Sequence, residues 1–168
     1  MKTRVFASAA IVGLILSGSA AIAPVLAAEP VFSTILLEQV VNRTPDQAWA
    51  RIGAYCAIAE WGGTTCRSAG GNSVSVGAQR RLGDGSGEIM VGRTDHSYTY
   101  TGVDAPVLYY GTLAVEPMDR GRKAKIVYTL FHDVAGLTAP EARRADRDTR
   151  SRKMAGALDK MKELAEAP

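Results

Sequence analysis

The two histidines of the chain, His96 and His132, each stand next to an aspartate, Asp95 and Asp133. A histidine oriented by a carboxylate is the core of a nucleophilic triad, but neighbours along a strand point to opposite faces, so neither pair makes a working dyad. The sequence has no His-x-x-x-His metal pair, no phosphate loop and no nucleophile elbow. Gly83, Gly85 and Gly87 sit in a hairpin turn and lack the strand-then-helix context that phosphate binding requires. From residue types and spacing, no catalytic residue, metal ligand or cofactor is expected, and the reading leans away from an enzyme.

What remains suits the holding of a molecule better than its conversion. Lys125, Val127, Thr129 and Phe131 alternate with Ile126, Tyr128, Leu130 and His132. Lysine belongs in water, which turns Tyr128, Leu130 and His132 inward. A hydroxyl and an imidazole in an otherwise apolar chamber are the sparse polar groups that orient a ligand, although both could equally be hydrogen-bonded core residues. Tyr98 and Tyr100 share one strand face, Tyr110 lies on the next strand, and Trp61 precedes a glycine pair. These aromatics extend the candidate lining, and cross-strand packing explains them as well. Met154, Leu158 and Met161 lie on one helical face and would close such a chamber, or fill an ordinary core.

The elements that must position these groups follow from pattern and turn chemistry. Phe32 to Val41 reads as a strand. Thr44-Pro45-Asp46 opens a helix whose stripe is Ala48, Trp49, Ile52 and Tyr55; Gly53 separates it from a second short helix, Ala54 to Glu60, ended by Trp61. From Thr64 onward, glycine-rich breaks divide short β-rich runs at meander spacing, giving strands at 64–69, 75–82, 87–94, 97–103, 108–116 and 123–132. Thr138-Ala139-Pro140-Glu141 has the spacing of a capping box and announces a long C-terminal helix with Met154, Leu158, Met161 and Leu164 or Ala165 on its apolar face. No repeat or linker divides the chain.

The first residues, Met1-Lys2-Thr3-Arg4, are basic and precede an apolar run and the small-residue site Val25-Leu26-Ala27. That is the plan of a secretory signal peptide cleaved after Ala27, leaving residues 28–168 as a single soluble domain, periplasmic or secreted. Lys2 and Arg4 would leave with it, taking two of the three net positive charges. Cys56 and Cys66 would then meet an oxidising compartment, where a disulfide is expected and two buried free thiols are the alternative. Between Arg143 and Lys153, six basic side chains face two acidic ones. That run is either a solvated helix face or, through Arg143, Arg147 and Arg150, a docking patch for an anionic periplasmic protein or lipid headgroups. The export signal argues against nucleic acid as a partner.

The ordered set Thr44-Pro45-Asp46-Gln47-Ala48-Trp49, Trp61, Val76-Gly77-Ala78-Gln79-Arg80-Arg81-Leu82, Tyr98-Thr99-Tyr100, Tyr110-Gly111-Thr112-Leu113 and a closing helix resembles the SRPBCC superfamily, which includes START, Bet v 1 and polyketide cyclase-like proteins. The likeness covers roughly residues 31–165. It implies an α+β helix-grip fold: a seven-stranded curved antiparallel sheet around a long C-terminal helix, with two short helices after strand one. The resemblance also implies an incompletely filled space between sheet and helix that in many members holds a small hydrophobic or aromatic ligand. A non-catalytic periplasmic carrier is therefore the leading expectation. A protein-interaction accessory factor, for example of a methanol-oxidation-type system, and a polyketide cyclase/dehydratase-like enzyme using His132 and a tyrosine are the alternatives.

Overall fold

The computed structural model describes residues 29–168, so the expected signal peptide, residues 1–27, lies outside the described residues. The chain runs β1 (Phe32–Val41), α1 (Pro45–Ile52), α2 (Ile58–Trp61), β2 (Cys66–Gly70), β3 (Gln79–Leu82), β4 (Gly87–Thr94), β5 (Ser97–Val103), β6 (Tyr109–Met118), β7 (Lys123–Asp133) and α3 (Pro140–Glu166). One antiparallel sheet holds all seven strands in the order β1-β7-β6-β5-β4-β3-β2, so the first and last strands pair over their full length. This is the expected helix-grip fold.

Local chemistry explains most of the boundaries. The Thr44 hydroxyl accepts from the Gln47 amide at 3.3 Å and the Gln47 side chain accepts from the Thr44 amide at 3.1 Å, a reciprocal cap that starts α1. Ala48 and Ile52 are fully buried along its inner stripe, and Gly53 ends it where a Cβ would strike the Trp49 ring at 2.3 Å. The second helix is one turn, Ile58–Trp61, instead of 54–60, because residues 54–57 form tight turns first. The third expected strand shrinks from 75–82 to Gln79–Leu82. Asn72 causes this: its side chain accepts from the Val74 amide and its carbonyl from the Ser75 amide, folding 72–77 into turns that end at Gly77 with φ 89°.

The start of α3 also differs from the expected capping box. Ala139, not Thr138, is the cap, and no side chain caps it. The residue before a proline is held extended, so Ala139 (φ −83°, ψ 132°) cannot join the helix and Pro140 becomes its first residue. Cys56 and Cys66 form a disulfide that ties the approach to α2 to the start of β2. No helix among the described residues is long and apolar enough to cross a membrane.

Candidate functional site: a cleft under the last helix

The sheet and α3 enclose a cleft of about 1620 Å³, open to solvent beside the β3–β4 turn. It exceeds the roughly 300–1,000 Å³ of a typical ligand pocket because it is a trough with one open side. Its inner walls are Trp61, Tyr100, Tyr109, Tyr128, Leu130 and Met154; Arg81, Asp84, Asp104, Arg150 and Lys153 line it as well.

Glycines let the tyrosines approach the sheet closely. A Cβ on Gly111 of β6 would lie 2.3 Å from the Tyr100 ring, and one on Gly102 of β5 would lie 2.8 Å from Tyr109. Both rings therefore rest on bare backbone. Tyr100 and Tyr128 share a hydrogen bond between their hydroxyls, and Tyr109 donates to Glu88 Oε1 at 2.8 Å. Burial is the largest influence on all three phenols and pushes each pKa well above the ordinary value, so they are neutral hydrogen-bonding groups at any physiological pH.

Beneath the tyrosines lies a buried ion pair. Arg80 is wholly buried and donates from Nε to Glu88 Oε2 at 2.7 Å across the β3–β4 register. The guanidinium also donates to the Tyr55 carbonyl and stands 4.3 Å from the Tyr55 ring centroid and 4.8 Å from that of Tyr100. Glu88 reaches the cleft; Arg80, beyond it, balances its charge.

The N-terminal half of α3 is held over the cleft by polar contacts. His132 Nε2 lies 2.7 Å from Asp146 Oδ2, and Arg150 donates to the same carboxylate at 3.0 Å. Partial burial pushes the Asp146 carboxyl up, but the hydrogen bonds from His132 and Arg150 more than offset this and hold its pKa below the usual aspartate value. Arg143 donates to the Leu137 carbonyl at 2.5 Å.

Of the residues singled out from sequence, Trp61, Tyr100, Tyr128, Leu130 and Met154 border the cleft together. Tyr98 is buried behind them against Trp49 and Tyr55. Leu158 and Met161 are core residues farther along α3, away from the opening. His132 faces inward as expected, but it is taken up by Asp146 and is not part of the cleft wall. Tyr110 corrects an expectation: it pairs with Phe131 on the outer face and is exposed, because the inward position belongs to its neighbour Tyr109. Neither histidine engages its adjacent aspartate; His96 meets Asp46 at 2.7 Å instead.

Besides Tyr109, the residues Arg80, Glu88 and Asp146 of the site escaped the sequence reading. Arg80 and Glu88 carried a signal, since Arg80 alternates in phase with Ala78 and Leu82, and Glu88 with Met90. An inward arginine opposite an inward glutamate on the next strand announces a buried pair. Asp146 carried none, because its partner lies on a different element across a loop. Among the described residues no cluster of three His, Cys, Asp or Glu side chains could hold a metal.

A curved sheet gripping a helix over an aromatic cleft defines the helix-grip class of α+β domains. The polyketide cyclase / dehydrase and lipid transport family matches residues 34–166, and the chain belongs to that family, within the SRPBCC superfamily. No curated protein matches it. Among solved structures it is similar to a Thermobifida fusca protein determined by NMR (TM-score 0.63, 21% identity, 80% of this chain and 97% of that one). A point mutant of norcoclaurine synthase from Thalictrum flavum, bound to a transition-state analogue, gives a TM-score of 0.59 at 16% identity over 83% of this chain and 97% of that one. A Chromobacterium violaceum protein gives 0.57 at 16% identity over 80% and 99%. At these identities the likeness is one of fold.

Proposed function

We propose that the chain is an exported, non-catalytic binding protein that holds a small hydrophobic or aromatic ligand in the cleft beneath α3. The observation that carries this reading is the cleft itself, an open trough walled by Trp61, three tyrosines, Leu130 and Met154 in a family whose description includes lipid transport. An aromatic and aliphatic wall with a few fixed polar groups is the usual constitution of a small-molecule site. The N-terminal Lys2 and Arg4 followed by an apolar run support export.

The enzyme alternative loses its proposed residue, because His132 is bonded to Asp146 behind the cleft wall. The docking alternative is weakened too. Arg150 is paired with Asp146 and Arg143 with a backbone carbonyl, which leaves Arg147 as the exposed member of the proposed trio. The test uses N-phenyl-1-naphthylamine, an uncharged probe that fluoresces on leaving water. Wild-type protein should bind it at micromolar concentration, and Leu130→Trp, which pushes a bulkier ring into the inner wall of the cleft, should weaken binding at least about tenfold while leaving the fold intact by circular dichroism. Equal binding by both proteins would remove the cleft as the site.

A further inference from the structure

The polar groups around the cleft leave an unbalanced set of donors and acceptors. The hydroxyls of Tyr100 and Tyr128 are bonded to each other, and two hydroxyls sharing one bond use one of their two protons. Whichever tyrosine donates, the proton of the other has no acceptor among the described residues. Trp61, whose ring centroid is 6.4 Å from that of Tyr128, is 5% exposed, and its indole N–H has no protein acceptor either. Both protons belong to residues that line the cleft.

Glu88 supplies the opposite deficit. Its carboxylate takes one bond from Tyr109 and is paired with Arg80, while a carboxylate has about four acceptor sites. It too lines the cleft. The residues of the floor therefore carry two unpartnered donors and a spare anionic acceptor. A hydroxyl group is complementary to that set, because it has one proton to give and two lone pairs to fill. A ketone or ether could not satisfy Glu88. A carboxylate would meet Glu88 charge against charge, and Arg80, which is paired with Glu88, lies behind the cleft wall and not in it.

We infer that the cleft selects an uncharged, largely apolar molecule carrying a hydroxyl group, held between the Glu88 carboxylate and the Tyr100–Tyr128 pair with Trp61. This inference rests on the reading of the cleft as a ligand site and names the class of ligand. The hydroxyl donates to Glu88, a charge-assisted bond and the stronger of the contacts, and accepts from tyrosine and indole.

The test compares four probes of nearly one shape on the wild-type protein by isothermal titration: 2-naphthol, 2-methoxynaphthalene, 2-methylnaphthalene and 2-naphthoate. The expected order is naphthol tightest, at least about tenfold above the methoxy compound, which accepts but cannot donate. The methyl compound binds more weakly still, and naphthoate most weakly. Replacing Tyr100 and Tyr128 together by phenylalanine should weaken naphthol severalfold and leave the methyl compound unchanged. Naphthol and 2-methylnaphthalene binding equally would overturn the hydroxyl assignment while leaving the apolar cleft standing. Naphthoate binding tightest would overturn it in favour of the basic residues Arg81 and Lys153. If none of the four bound, the ligand-site reading would fall with it. Because the order is read on unmodified protein, the result stands even if the double variant fails to fold.

Discussion

The two halves of α3 lie on the same sheet and do different things. The C-terminal half sets Leu158, Met161 and Ala165 into a core with Val41, Ile52, Leu113 and Ile126, and all of these are nearly or completely buried. The N-terminal half, from Pro140 to Ala157, contributes no buried residue; it spans the cleft and is held by Asp146 to His132 and Arg143 to the Leu137 carbonyl. An apolar stripe draws a helix down until the space beneath it is filled, because every void left there costs free energy. A helix without one can be supported at a distance by a few directional contacts. The cleft exists where the stripe stops.

Several substitutions would break or sharpen that contrast. The largest effect belongs to Glu88→Ala, which strands the buried Arg80 charge and should cost about 3–5 kcal/mol in urea unfolding. A loss below about 1 kcal/mol would mean that Arg80 reaches water. Met161→Ala, in the filled half, should cost about 2–5 kcal/mol by opening a cavity, whereas Met154→Ala, beside the open cleft, should cost well under half of that because no closed cavity forms. Equal losses would erase the distinction between the halves.

Asp146→Asn tests the polar support and should cost about 1–2 kcal/mol at neutral pH, since a hydrogen-bonded carboxylate is replaced by an amide. Its pKa is lowered by folding, so its contribution is complete above the ordinary aspartate value of 3.8 and disappears as pH falls through the lower folded value. The difference in stability between wild type and Asp146→Asn should therefore shrink below about pH 4. A difference that persisted undiminished well below about pH 3 would contradict the hydrogen-bonding arrangement.

Period-two alternation and turn chemistry made most of the sheet readable. The strands Phe32–Val41, Gly87–Thr94 and Ser97–Val103 begin and end where their patterns do, because glycine, aspartate and asparagine mark their limits. β3 was overestimated because Val76 has a strand-like side chain, whereas Asn72 and Gly77 bend the backbone around it. Within the site, the inward face of β7 was legible from Lys125, which is held outside by Glu38 and Glu116. Tyr110 was misplaced because its strand's inward set begins one residue earlier, at Tyr109, which alternates in phase with Leu113 and Val115. The Arg80–Glu88 pair could have been found by carrying alternation across two strands, while the His132–Asp146 bond depends on how α3 crosses the sheet, which no local pattern records.

The most direct test of the cleft as a ligand site is a ¹H–¹⁵N and methyl NMR titration with 2-naphthol. A bound probe should shift the Trp61 indole signal and the Leu130 and Met154 methyl signals together, leaving the outer-face residues Phe131 and Tyr110 unmoved. Shifts confined to the outer face, or none at saturating probe, would contradict a binding site beneath α3.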